Sequence, residues 1–182
     1  MLSVFSAKFK SAKKGVTYDF SSVQFDLPKT LADRVKSWGK ENIAEKDVFK
    51  ESGEKGRENE IHVTVKYGLH TTDVEEVKKN IKGCKPFSIS LGAISRFVPK
   101  DKEYDVVKID IEGEGLHDIH RMLGELKNSD EHPEYRPHCT VAYIKKGQCS
   151  ELSGDKSLSG AKATVNRLTF SSKDDTKYFL DL

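Results

Sequence analysis

IHVTVKYGLH, residues 61–70, alternates apolar Ile61, Val63 and Val65 with polar His62, Thr64 and Lys66. A period of two marks a strand with one buried face, so His62 and Thr64 point the same way. The pattern returns in RPHCTVAYIKKG, residues 136–147, where His138 and Thr140 alternate against Cys139, Val141 and Tyr143. A helical stretch precedes each of these His-x-Thr-Val strands, and the two halves read as an internal duplication too diverged to show elsewhere.

Around these strands the chain alternates sheet and helix signals. Thr17–Pro28 reads as a first strand, and Lys29–Asn42 as an amphipathic helix with Leu31, Val35 and Trp38 facing the core. FKESGEKGRENE, residues 49–60, is polar with two glycines and reads as a mobile loop. A second helix starts at a Thr72 or Asp73 cap, carries Val74, Val77 and Ile81 on one face, and is closed by Gly83. Two strands, Pro86–Val98 and Tyr104–Gly113, lead to a third helix with a stripe of Leu116, Ile119, Leu123 and Leu126. The C-terminus reads as a hairpin of Lys162–Ser171 with Lys177–Leu182.

Composition bounds what this array can be. The 182 residues, 33% charged and 36% hydrophobic, suit one compact domain or two small lobes. No apolar run approaches a membrane span, so a soluble protein with no membrane contact is expected. The formal net charge is +2, but Met1–Tyr18 holds Lys8, Lys10, Lys13 and Lys14 and no acid. The rest is close to neutral, which excludes a globally basic nucleic-acid clamp and leaves room for a local basic pocket. Residues 1–16 are expected to be a basic flexible tail and 17–182 a single domain. LSVF is too short for the apolar centre of a secretory signal. Three cysteines (Cys84, Cys139 and Cys149), odd in number and outside any CxxC, favour a reducing cytoplasm.

Paired His-x-Thr strands suit one kind of chemistry. Imidazole, with an ordinary pKa near 6.5, both takes and gives protons around neutral pH. Two facing histidines can act as base and acid in one displacement. A threonine hydroxyl roughly 6.6 to 7 Å farther along the same face can donate to a phosphate oxygen. Imidazolium and hydroxyl donors supply the electrostatic stabilisation, so no metal or other cofactor is expected.

HVTV at His62–Val65 and HCTV at His138–Val141 resemble the paired signature of the two-histidine (2H) phosphoesterases, a family that includes 2′-5′ RNA ligase-like proteins and cyclic nucleotide phosphodiesterases. The resemblance covers about Thr17–Leu182. It implies an α+β fold, bilobal, with two pseudo-symmetric antiparallel sheets, outer helices and a central cleft lined by both motifs. Within the family, HVTVKYGLHT resembles phage-encoded or prophage-encoded members, some of which cleave the cyclic oligonucleotide signals of antiviral defence. The implied function is metal-independent cleavage of a phosphodiester in a small cyclic or 2′-5′/3′-5′-linked nucleotide. His62 and His138 would be the acid–base pair, with Thr64 and Thr140 holding the phosphate. The expected partner is a nucleotide or oligonucleotide, with no obligate protein partner. A non-catalytic RNA-end or nucleotide-binding module and a phage structural accessory stand as alternatives.

Other residues carry two readings each. Lys66 shares the strand parity of His62 and Thr64 and reads as a substrate contact or as a solvated lysine. Arg136, Lys145 and Lys146 flank the second motif as phosphate contacts or as surface charge. Tyr143 has the parity of Cys139 and Val141, which argues for packing, whereas the family resemblance favours a base-stacking aromatic. Cys139 faces away from His138, against a cysteine nucleophile. His117 and His120 sit three apart on a helix without a third ligand, and His70 and His132 read as solvated.

Overall fold

In a computed structural model, which describes residues 8–10, 17–50, 56–130, 132 and 134–182, the two histidine strands are neighbours. They are β3 (His62–Leu69) and β6 (His138–Lys145), antiparallel and joined by the single pair Val63–Cys139. On one side lie β2 (Ser21–Asp26), β8 (Arg167–Ser171), β9 (Thr176–Asp181) and an edge strand β1 (Lys8–Lys10). On the other lie β5 (Tyr104–Glu112), β4 (Phe87–Phe97) and β7 (Lys162–Val165). The order is β1-β9-β8-β2-β3-β6-β5-β4-β7, so the two expected sheet halves are continuous through the β3–β6 seam.

The helices cover one face. In α1 (Lys29–Asn42), Leu31, Val35 and Trp38 are buried at helical spacing. Gly39 lets that helix approach β6 closely: a Cβ there would sit 2.7 Å from Val141 Cγ1. In α3 (Glu114–Leu123), Leu116, Ile119 and Leu123 are buried and the helix packs on β3. A third helix, α2 (Val74–Asn80), begins where Asp73 Oδ1 accepts from the Glu75 N–H. Val63, Val65, Cys139 and Val141 fill the helix-side face of the seam, which leaves His62, Thr64, His138 and Thr140 on the other.

Each histidine strand diverges from the other beyond Val63–Cys139 and is completed by the segment that leads into its partner. Phe49 N donates to Tyr143 O, Tyr143 N to Gly56 O and Glu58 N to Val141 O. The stretch read as a mobile loop is thus bonded along β6 at both ends, with residues 51–55 outside those described. Symmetrically, His70 N donates to Lys127 O and Ser129 N to Gly68 O. Gly68 has φ +83°, and a Cβ there would meet the Ser129 backbone at 2.9 Å, so glycine is required.

Besides α3, which ends at Leu123 and leaves out the Leu126 read on its stripe, two boundaries differ from the sequence reading. The strand expected over Lys162–Ser171 breaks at Asn166: β7 pairs with β4, and β8 with β2 and β9. β7 and β8 are six strands apart in the sheet order, about 29 Å if the sheet were flat at its usual spacing. One intervening residue spans at most about 7 Å, so the sheet curls until its far edge meets β8. The helices hold the apolar face, and the curl therefore encloses the polar one. The second difference is at the N-terminus, where Lys8–Lys10, inside the expected tail, pairs with β9, while residues 1–7 and 11–16 lie outside those described. Among the described residues, no helix is long and apolar enough to cross a membrane.

Candidate active site

The register at the seam builds a four-residue cluster. One step either side of the Val63–Cys139 pair, His62 falls opposite Thr140 and Thr64 opposite His138. Both rings are held identically. His62 Nδ1 lies 2.7 Å from Glu60 O and His138 Nδ1 2.7 Å from Arg136 O, in each case the carbonyl two residues back. A carbonyl only accepts, so Nδ1 carries the proton and Nε2 is the nitrogen left for a substrate. Phe97 meets the His138 ring edge to face at 4.8 Å.

The next strands out repeat the symmetry. On β2, Gln24 lies opposite Thr64 and Asp26 opposite His62; on β5, Lys108 lies opposite Thr140 and Asp110 opposite His138. Asp26 accepts from Gln24 Nε2 at 2.6 Å and from Thr169 Oγ1 at 2.7 Å. Asp110 accepts from Ser95 Oγ at 2.8 Å and from Lys108 Nζ, and Lys108 also donates to Ser95 Oγ at 2.6 Å and lies 4.5 Å from the Phe97 ring centre. The copies differ in charge: a buried lysine beside the second motif, a glutamine beside the first. Burial pushes the His138 pKa below its ordinary value. The Arg136 carbonyl opposes that shift, and the Lys108 and His62 charges add to it.

A register shift after each threonine decides what else reaches this face. Gln24 pairs with Thr64 but Val23 with Lys66, leaving Val65 as an extra residue; Lys108 pairs with Thr140 but Val107 with Ala142, leaving Val141 extra. Lys66 is therefore turned to the helix side, where it is 6% exposed and bonded to Asp130 Oδ2 at 2.9 Å. The parity argument that placed it beside His62 fails for that reason. The same device brings Tyr143 to the histidine face, against the packing role its parity suggested. The Arg136 guanidinium is engaged by Glu134 at 2.7 and 3.0 Å, and the residue reaches the site through its carbonyl. Lys145 is exposed at the end of β6, opposite Tyr104.

The remaining candidates are structural neighbours. Cys139 is fully buried on the helix side, with its thiol pushed up to about 12 by burial, and cannot serve as a nucleophile. His120 bonds Val65 O at 2.7 Å and stacks on Tyr135 at 4.1 Å, and Tyr135 donates to Thr64 O at 3.0 Å, so both brace the first bulge. His117 packs edge-on against Tyr135. His70, read as solvated, bonds Ser129 Oγ at 2.7 Å and stacks on Phe20. Sequence reasoning missed Gln24, Asp26, Lys108 and Asp110, whose signal was their alternation on flanking strands. It also missed Tyr67, whose signal was the longer repeat His-x-Thr-x-x-Tyr.

An α+β sheet of two matched halves that brings two His-x-Thr motifs together defines a phosphoesterase of the 2H type. The 2′-5′ RNA ligase superfamily profile matches residues 44–177, and the chain belongs to that family of phosphoesterases. No curated protein matches it at the sequence level. Among solved structures, E. coli LigT complexed with 3′-AMP is similar at TM-score 0.60 and 13% identity, covering 89% of this chain and 93% of that one. Kluyveromyces marxianus Usb1 is similar at TM-score 0.58 and 12% identity, covering 91% and 99%. A form of Usb1 with uridine monophosphate aligns at 0.59 and 12%, covering 90% and 98%. At these identities the likeness is one of fold.

Proposed function

We propose that this protein cleaves a phosphodiester bond in a nucleotide or oligonucleotide by paired acid–base catalysis. The observation that carries the reading is the duplicated geometry: two imidazoles, each oriented by a carbonyl two residues back, each opposite the other motif's threonine. His138, neutral near pH 7, takes the proton from the attacking oxygen, which is water or the neighbouring ribose hydroxyl. His62 gives a proton to the leaving oxygen. Thr64 and Thr140 donate to the non-bridging oxygens and stabilise the charge that builds there. Lys145, exposed at the end of β6, would meet a flanking phosphate. LigT with 3′-AMP and Usb1 with uridine monophosphate support nucleotides as the ligand class.

The test is hydrolysis of 2′,3′-cyclic nucleotides, 2′-5′ oligoadenylate and cyclic di- and trinucleotides by the wild type and by His62→Ala and His138→Ala. Each variant should lose about 10² to 10⁴ in kcat on the best substrate. Folded variants that turn over at the wild-type rate would overturn the mechanism. Substrate binding without turnover by the wild type would favour a non-catalytic nucleotide-binding module.

A further inference from the structure

We propose that Lys108 and Gln24 are positioning residues that give the duplicated site its direction: the ammonium beside the second motif assigns the base role to His138, and the uncharged amide beside the first leaves the acid role to His62. A phosphodiester is then cleaved in one orientation only. This rests on the phosphodiesterase reading and deepens it.

The two halves build the same trio on the strands that flank the histidines. Gln24 and Asp26 of β2 stand to Thr64 and His62 as Lys108 and Asp110 of β5 stand to Thr140 and His138. Each aspartate accepts from the residue two places before it, Gln24 or Lys108, and from a hydroxyl on the next strand out, Thr169 of β8 or Ser95 of β4. Gln24 and Lys108 are 8% and 5% exposed, so both belong to the packed floor of the cleft. The copies match in place, bonding and burial and differ by one positive charge. Burying that charge costs desolvation which the glutamine in the equivalent place does not bear.

Packing carries the charge to one ring. Lys108 Nζ lies 4.5 Å from the centre of the Phe97 ring, and Phe97 meets the His138 ring at 4.8 Å and 87°. The phenyl ring stands beside both ammonium and imidazole and excludes water that would screen one from the other. The Asp110 side chain is 48% exposed against 6% for that of Lys108, so solvent damps the negative end of this pair more than the positive end. Burial, and then the charges of Lys108 and His62, push the His138 pKa down, against the Arg136 carbonyl and Asp110. His62 faces the opposite sign. Among the described residues, the side-chain donors to Asp26 are Gln24 and Thr169, both uncharged. The cations on that side are bonded elsewhere, Lys177 to Glu60 at 2.8 Å and Arg167 to Asp181 at 2.6 Å.

Direction follows from the roles. The attacking O–H gives its proton to His138 Nε2 as the new P–O bond forms, the old P–O bond breaks, and the leaving oxygen takes the proton held on His62 Nε2. Proton exchange with water resets both rings. The attacking group therefore enters from the side of β5 and β6, and the leaving group departs towards β2 and β3. A substrate threaded the other way presents its leaving oxygen to the ring that has no proton to give.

The experiment compares two probes, adenylyl-3′,5′-adenosine and adenosine 3′-(p-nitrophenyl phosphate), whose nitrophenolate leaves without a proton. His62→Ala should lose about 10² to 10⁴ in kcat/KM on the dinucleotide and less than about tenfold on the nitrophenyl ester, whereas His138→Ala should lose as much on both. In a background with the charges exchanged, Gln24→Lys with Lys108→Gln, the ratio of His62→Ala to His138→Ala on the ester should fall by about tenfold or more. An unchanged ratio would overturn the proposal. Should the exchanged protein fail to fold, Lys108→Gln alone carries the test. The His138 midpoint, followed by the NMR signal of its ring Cε1–H, should rise by about one pH unit, the effect of a partly screened charge on a diagonal cross-strand neighbour. Lys108→Arg should leave it in place. No rise, or the same rise in Lys108→Arg, would show that Lys108 acts by packing alone and would sink the proposal. The titration needs no turnover, which separates the two readings. A midpoint that follows Lys108 in a protein that cleaves neither probe counts against the phosphodiesterase and keeps the charge asymmetry. Cleavage with a midpoint and a ratio that ignore the exchange keeps the phosphodiesterase and refutes the assigned direction.

Discussion

His62 and His138 share a ring geometry but not an environment, and the difference is measurable. Because burial holds the His138 pKa below its ordinary value, the acid limb of kcat/KM should fall below pH 6.5, and substitution of Lys108 by Met should move that limb upward. A limb at or above 6.5, or one that ignores Lys108, would reverse the acid and base roles. Stability follows the same group. His138 is neutral when folded and charges more readily when unfolded, so the unfolded chain binds more protons. Stability is therefore complete above the ordinary histidine value, falls as pH drops through it, and levels off below the depressed one. His138→Gln should show a smaller acid loss in denaturant melts. Thr64→Val and Thr140→Val should each cost about 1 to 3 kcal/mol in transition-state binding, read from kcat/KM. The four motif residues were legible in the sequence because period two is robust over a tetrapeptide. Lys66 was misread, and parity alone argued for packing at Tyr143, because a one-residue bulge, set by pairing with β2 and β5, leaves no trace in that period.

Among the elements, Lys29–Asn42 was legible to the residue, since an amphipathic stripe and a preceding proline mark α1 without tertiary help. The break at Asn166 was not, because KATVNRLTF alternates well enough to pass for one strand and its halves part only when different neighbours claim them. The Lys66–Asp130 pair belongs to this scale, tying β3 to the segment that leads into β6. With side chains 6% and 10% exposed, it is a buried ion pair. Asp130→Ala would strand the ammonium and should cost about 3 to 5 kcal/mol in urea melts, whereas the double change Lys66→Met, Asp130→Ala should recover most of it. Equal losses in both would show that Asp130 acts through its backbone turn. Gly39→Ala should destabilise by about 1 to 3 kcal/mol despite alanine's better helix propensity, because the new Cβ, 2.7 Å from Cγ1 of the buried Val141, forces that side chain to shift.

For the molecule as a whole, the proposed chemistry draws on imidazole and hydroxyl groups alone, so turnover should survive exhaustive chelation by EDTA. Loss of activity restored by a divalent ion would refute that. Unfolding should be a single transition, with tryptophan fluorescence and far-ultraviolet circular dichroism coincident, since the halves exchange helices: α1, which follows β2, packs on β6, and α3, which follows β5, packs on β3. The one-residue link at Asn166 adds a mechanical consequence. The halves are joined along the β3–β6 seam and riveted again where β7 becomes β8, like a jaw fastened at both corners. Such a jaw has a fixed gape. The substrate must fit the opening it finds, and turnover should owe little to solvent viscosity.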